Sequence, residues 1–354
     1  RTSYLDYGTA VVGTVSGTSI SFGTPVTFES ATTSKIKLTY DSANEKVVIA
    51  YRDSGNSQYG TAIVGTVSGT SISFGSPTVY QNSGALSYNS ITYDSSNQKV
   101  VVAYKNPSSG YGVAKVGTVS GTSISFGSEA VFNSGDSRYI SSTFDSTNNK
   151  VVIVYQDNGN SGYGTAIVGT VSGTSISFGS AVAFESNGVY VISPAYDSFN
   201  SKVVIAYQDY NNSFYATAIV GTVSGTSISF DSPIQFTSTV QEHISAVYDS
   251  TNDKVVISFN DRANSKYGTA FAFNPRTISR NLTAENFIGV SDGAYSDGQT
   301  ATIQLTGAVD DAQSGLTPGQ AYYVQNDGTL SETADNPSVF AGTALASTKL
   351  IVRG

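Results

Sequence analysis

The chain of 354 residues contains no Cys, no Met and no Trp, and only one His, His243. Without Cys there is no disulfide, thiolate nucleophile, zinc-thiolate centre or iron–sulfur cluster. One His leaves no material for a multi-histidine metal site or a histidine relay, so no metal and no cofactor are expected. Charge is also scarce: 18 Lys+Arg against 26 Asp+Glu give a net charge of −8, with 12% of residues charged. An acidic chain lacks the basic footprint that nucleic-acid binding requires. No apolar run approaches the roughly 20 residues that span a bilayer, and no signal-peptide pattern opens the chain. Nucleic acid and membrane insertion are therefore not expected. The absence of a starting Met leads us to expect a processed or truncated end at residue 1.

What the chain does have is 35 Gly, 23 Tyr and 17 Phe, with abundant Ser, Thr, Val and Ile. The aromatic and β-branched residues supply burial, which separates this composition from that of a disordered chain.

Self-similarity decides the organisation. The segment VGTVSGTSISF occurs at 12–22, 64–74, 116–126, 168–178 and 220–230. A Tyr opens the preceding strand at Tyr7, Tyr59, Tyr111, Tyr163, Tyr215 and Tyr267, a constant step of 52 residues. A second unit, apolar-Asp-Ser-x-Asn-x-Lys-Val-Val, places its Asp at Asp41, Asp94, Asp145, Asp197 and Asp249.

Each repeat reads as four strands, for example KLTYD (37–41), KVVIAY (46–51), YGTAIVGTV (59–67) and TSISF (70–74). Asp-Ser-x-Asn supplies side chains that bond their own backbone and an Asn that tolerates positive φ. Ser68-Gly69 reads as a two-residue hairpin link. KVVIAY is apolar on both faces and belongs between two covering layers, whereas TSISF alternates like a half-exposed outer strand. Such a unit, repeated at about 50 residues, is a propeller blade.

The fold class expected is all-β: a five-bladed β-propeller over 1–273, then a small β-barrel or β-roll over 274–354. Four blades fall at 31–82, 83–134, 135–186 and 187–238. The fifth is expected to join 239–261 to N-terminal residues 7–30, closing the ring and removing free edges. That leaves 7–15 and 267–273 competing for one strand position. In the C-terminal module a short helical stretch is expected at 282–288. Strands are expected at 300–306, 321–326, 338–344 and 349–353, with a hairpin turn at Asp327-Gly328.

The run GLTPGQAYYVQNDGTLS (315–331), followed by NPSVFAGTALASTKLIVRG (336–354), resembles the C-terminal module of tail-fibre and other structural proteins of marine tailed phages, cyanophages especially. Residues 281–303 match the preceding consensus NLTAxNFIGxSDxAxxDGxTATI, and the 52-residue repeat is similar to repeats of large marine viral and bacterial surface proteins. The resemblance implies a structural role on a virion or cell surface, and it carries over no catalytic residue.

The repeats also compare with one another. The first-to-second and third-to-fourth turns barely vary among copies, while the second-to-third and fourth-to-first connections do. In an up-and-down blade the two variable connections lie at one end of the ring. The candidate ligand-binding residues there are Arg52, Tyr88, Lys105, Arg138, Tyr139, Tyr190, Tyr210 and His243, with Phe214 and Arg262 nearby. Aromatic rings pack on the CH faces of sugars while amides, carboxylates and Arg bond the hydroxyls. The recurrent Asp of YDS reads as a turn former, because a glycosidase needs two carboxylates in different environments. The loop from Asp157 to Gly162 lacks the residue order and terminal Glu of a calcium loop.

The function expected is therefore non-enzymatic: a virion tail fibre or capsid-surface fibre, extracellular, that presents the propeller to a host-surface glycan or receptor. The C-terminal module would contact other virion proteins or assemble copies, for instance as a homo-trimer. The alternatives are a bacterial lectin-like adhesin or surface-matrix protein and a propeller glycosidase.

Overall fold

The computed structural model describes residues 6–262, 264–273, 287–293, 300–324, 329–334 and 339–352. Every regular element in them is a strand. No helix is long and apolar enough to cross a membrane among these residues. The chain forms two units, Arg1–Pro275 and Arg276–Gly354.

In the first unit the 52-residue repeats make antiparallel sheets, and four copies carry the full set of strands. In the first, residues 33–41 of the strand Val26–Asp41 pair with Lys46–Asp53, which pairs with Tyr59–Ser68. The outer strand comes in two pieces, a feature not expected from the sequence. Ser71–Phe74 pairs with the second half of Tyr59–Ser68, and Thr78–Gln81 pairs with its first half. The segment between them stays attached through a bond from Gly75 N to Val64 O (2.9 Å). In the third and fourth repeats the second piece runs on without a break into the next blade, as Val182–Asp197 and Ile234–Asp249.

The turns form for local reasons. Asp41 Oδ1 accepts from the backbone N–H groups of Ala43 and Asn44 (both 3.1 Å), and Asn44 Nδ2 donates to Asp41 Oδ2 at 2.8 Å. The same three bonds recur at Asp94, Asp145, Asp197 and Asp249. Positive φ falls not on this Asn but on the next residue, at Glu45, Gln98, Asn149, Ser201 and Asp253. The Asn is held as a side-chain donor, so the left-handed step passes to its neighbour. In the hairpin, Ser68 pairs with Ser71, so the link is Gly69-Thr70 rather than Ser68-Gly69. Gly69 takes φ 58°, as a first central position needs in this turn.

Packing follows from the two-faced second strand. Val48, Ala50, Ala62 and Val64 form one small-residue face, which packs against Val100, Val102, Tyr104 and Val113 of the next blade. The arrangement repeats along the array. Tyr51, Tyr104, Tyr155 and Tyr207 are fully buried, each contributing about 1.5–3 kcal/mol if treated like other large apolar side chains. Three of their hydroxyls donate to carboxylates: Tyr51 to Glu29, Tyr104 to Glu129 and Tyr207 to Glu185. Burial, followed by these carboxylates, pushes the phenol pKa values upward.

The ends differ from the strand exchange expected. Tyr7–Ala10 pairs with residues 26–32 of its own N-terminal segment, and Gly13–Ser16 forms a hairpin with Ser19–Phe22. Lys254–Asp261 takes its third strand from Tyr267–Phe273, in register from Val255↔Phe273 to Asp261↔Tyr267. The contiguous segment thus occupies the place proposed for 7–15.

The second unit holds a five-stranded antiparallel sheet in the order Val309–Asp310, Lys349–Val352, Phe340–Ala346, Ala321–Val324, Leu330–Ser331. A separate hairpin joins Gly289–Ser291 to Ile303–Leu305. Among the described residues this is an open sheet rather than a closed barrel. Its core is Leu316, Tyr322, Ala341, Ala344 and Leu350. The Asp327-Gly328 turn and most of the stretch 282–288 lie outside the described residues.

Candidate binding face

The invariant end of the array is stitched between blades. The Tyr93 hydroxyl accepts from Ala43 N (3.3 Å), and the Tyr196 hydroxyl bonds Thr147 Oγ1 (2.6 Å), each reaching the Asp-Ser turn of the preceding blade. Thr147 Oγ1 and Ser201 Oγ lie 3.1 Å apart. The uniformity of these turns is thereby a structural requirement.

At the opposite end the innermost strand of most copies carries a β-bulge. The register slips between Ser34 and Lys37, Arg138 and Ser141, Tyr190 and Ser193, and Glu242 and Ser245. The bulge puts a non-glycine residue in the left-handed region: Lys35 (φ 55°), Tyr139 (47°), Val191 (47°) and His243 (55°). A bulge re-aims a side chain, and here it directs a different residue type in each copy. In the second copy Tyr88 occupies the equivalent place just ahead of the strand Asn89–Asp94.

Several named aromatics come together. Tyr88 and Tyr139 have ring centroids 5.3 Å apart, as do Tyr139 and Tyr190. Tyr190 lies 6.1 Å from Tyr210 and 5.9 Å from Phe214, which themselves meet edge-on at 5.1 Å. The result is a run of five rings crossing three blades. Tyr210 stays 50% exposed. Burial raises the Tyr139 pKa, helped by the phenols of Tyr88 and Tyr190, so this hydroxyl is a neutral donor-acceptor at physiological pH.

The named cations are differently placed. Arg52 Nε donates to Ser34 Oγ (2.9 Å) and its Nη1 to the Leu86 carbonyl of the next blade (3.4 Å). Gln156 and Gln208, at the equivalent position, likewise reach the carbonyls of Val189 (2.8 Å) and Gln241 (2.6 Å). Lys105 pairs with Asp136 of the next blade, and Arg138 bonds the same carboxylate through Nη2 (2.8 Å) and Nε (2.9 Å). Burial opposes ionisation of Asp136, but the two cations outweigh it and hold its pKa below the ordinary carboxylate range. The Arg52 and Lys105 bonds join neighbouring blades, whereas Arg138 bonds within its own. The carboxylate of Asp53 is also engaged locally, accepting from Gly55 N (2.9 Å) and Asn56 N (3.2 Å).

His243 is exposed and borders a cavity of ≈ 470 Å³ lined by residues of all five copies. Lys35, Lys37, Tyr88, Tyr139 and Val191 also face it, and among the described residues its lining contains no Asp or Glu. Lys37 was not singled out in the sequence. Its only signal there is position, since it stands where later copies have Ser141, Ser193 and Ser245.

The chain matches no protein-family model, and no curated protein matches its sequence. Among solved structures it is similar to AofleA from Arthrobotrys oligospora, at 10% identity and a TM-score of 0.47, over 77% of this chain and 84% of that one. A variant of AofleA with three arginines replaced by alanine gives 11% identity and a TM-score of 0.49 over the same shares. A prolyl endopeptidase structure gives 9% identity and a TM-score of 0.36, covering 92% of this chain and 54% of that one.

Proposed function

We propose that this protein is a non-enzymatic attachment protein, which holds surface saccharides on the variable end of a propeller. The observation that carries the reading is the aromatic run Tyr88–Tyr139–Tyr190–Tyr210/Phe214. Rings at this spacing offer successive apolar platforms to successive sugar units, with phenol hydroxyls at their margins for hydrogen bonds. Non-enzymatic action is supported by the carboxylates: the repeated Asp side chains are turn acceptors, and none lines the cavity. A glycosidase would need a differentiated pair.

The resemblance to marine phage fibre proteins supports a place on the virion surface, facing a host glycan or receptor. In this reading the C-terminal unit joins the propeller to other virion proteins or to further copies. The ring closes at five blades, with the blade of Lys254–Asp261 meeting that of Lys46–Asp53. Two features support closure. Leu38 and Tyr40 are 65% and 53% exposed, whereas Ile91, the counterpart of Leu38, is 7% exposed. Gly268 has open space beside it, where Gly60, Gly112 and Gly164 each meet an outer-strand ring.

Binding to a panel of neutral surface oligosaccharides tests the reading. Tyr190→Ala with Tyr210→Ala is expected to weaken binding at least tenfold while leaving the melting temperature of the fold nearly unchanged. Binding unaltered by both substitutions would overturn it.

A further inference from the structure

We infer that the cavity bordered by the inner strands is a second binding site, one that takes the anionic group of an acidic saccharide, a carboxylate or a sulfate ester. The inference rests on the saccharide reading above, shares Tyr88 and Tyr139 with it, and turns on Lys35 and Lys37, which that reading does not use. The whole chain is acidic, with a net charge of −8. This cavity nevertheless gathers Lys35, Lys37 and the only His of the protein, and among the described residues no carboxylate lines it. No described carboxylate pairs with either lysine, in contrast to Lys105 and Arg138.

The donor set is completed by hydroxyls repeated around the cavity, at Ser141, Ser193 and Ser245, with the phenols of Tyr88 and Tyr139. Ser193 Oγ already accepts from Ala246 N at 2.9 Å, which leaves its O–H to donate. Cations and O–H donors together match the oxygen atoms of a carboxylate or sulfate. The backbone supplies an independent observation. Four of the five inner strands hold a non-glycine residue at φ 47–55°, all facing this cavity, and one is the β-branched Val191. Left-handed backbone is unfavourable for such residues and is retained where the surroundings over-determine it, as at binding sites. Asn or Gly would relieve it at once, yet no copy uses either. At ≈ 470 Å³ the cavity lies in the ordinary range of small-ligand sites, ample for a sugar unit. An acidic terminal or branching unit would enter it while its neutral neighbours lie across the rings outside.

The test uses the full chain and four probes: an oligogalacturonate, its methyl-esterified form, a sulfated galactan oligosaccharide and its desulfated form. The expected result is that at least one charged probe binds at least tenfold tighter than its neutral counterpart, with a preference that weakens as salt rises. The pair that shows it identifies carboxylate or sulfate as the group recognised. Lys35→Gln with Lys37→Gln should abolish that preference and leave the affinity for the neutral form unchanged. Both lysines are exposed, and an unchanged melting temperature will confirm the fold. Equal binding of charged and neutral probes, no binding of either charged probe, or a preference that survives the double substitution would overturn the inference. Tyr190→Ala with Tyr210→Ala separates the two readings. Loss of neutral binding without any charge preference leaves the aromatic site standing and removes this one. A lysine-dependent preference insensitive to the tyrosines does the reverse.

Discussion

Gly75, Gly127 and Gly179 show how narrowly neighbouring copies fit. A Cβ on Gly75 would stand 1.9 Å from the carbonyl oxygen of Thr122 in the next copy, and one on Gly127 would stand 2.0 Å from that of Thr174. The obstacle is backbone, so no side-chain rotation relieves it. Gly127→Ala is therefore expected to destabilise the fold by about 1–3 kcal/mol, read as a lowered urea midpoint. Asp231 occupies the same position in the fourth copy, and one step on, where a further Ser-Gly-Thr turn would fall, the sequence reads Arg276-Thr277-Ile278. This contrast was present in the sequence, but its meaning was not, because the contact joins residues of two different copies. The Asp-Ser-x-Asn turn was legible for the opposite reason, since all its partners lie within three residues. Only the left-handed position was misplaced, by one residue, because Asn is favoured there in general and is here held by Asp.

Among the elements, the second strand was the most readable. KVVIAY has no polar face, and each face does meet a covering layer. The split outer strand was hidden, since Gly75-Ser76-Pro77 has the composition of a connection and Thr78–Gln81 is too short to stand out. The inner-strand bulge was hidden too. Lys35, Tyr139, Val191 and His243 are not residues that announce left-handed backbone. At Lys35, whose side chain is exposed, replacement by Gly relieves a left-handed penalty of roughly 1–2 kcal/mol against an entropic loss of about 0.5–1 kcal/mol. Lys35→Gly should then raise stability by about 0.5–1 kcal/mol in a urea titration while weakening the binding of an acidic saccharide. An unchanged or lowered stability would mean that the bulge is not strained.

For the whole molecule, the 52-residue step and the antiparallel all-β repeats followed from the sequence because near-identical copies repeat their own signals. The same copying explains much of the restricted composition, since a residue type missing from one repeat is missing from all. The aromatic residues of the candidate site emerged by comparing copies. The free and engaged charges did not, since Arg52 and Lys105 find their partners in the next blade. Closure belongs to this scale. If the ring closes, the turn after Asp249 covers Tyr40, as the turn after Asp41 meets Tyr93. The chain lacks Cys, so Tyr40→Cys with Thr251→Cys supplies the only two thiols for spin labels. Closure predicts the distance found for a Tyr93→Cys and Ala43→Cys control, while an open array predicts a longer and broader distribution.

The central claim is that ligand meets the variable end and not the invariant one. A crystal structure of the full chain with the tightest-binding oligosaccharide of the panel tests it most directly. Sugar rings are expected to stack along Tyr139, Tyr190 and Tyr210. Density for the sugar at the Asp-Ser turns, or on the C-terminal unit alone, would contradict it.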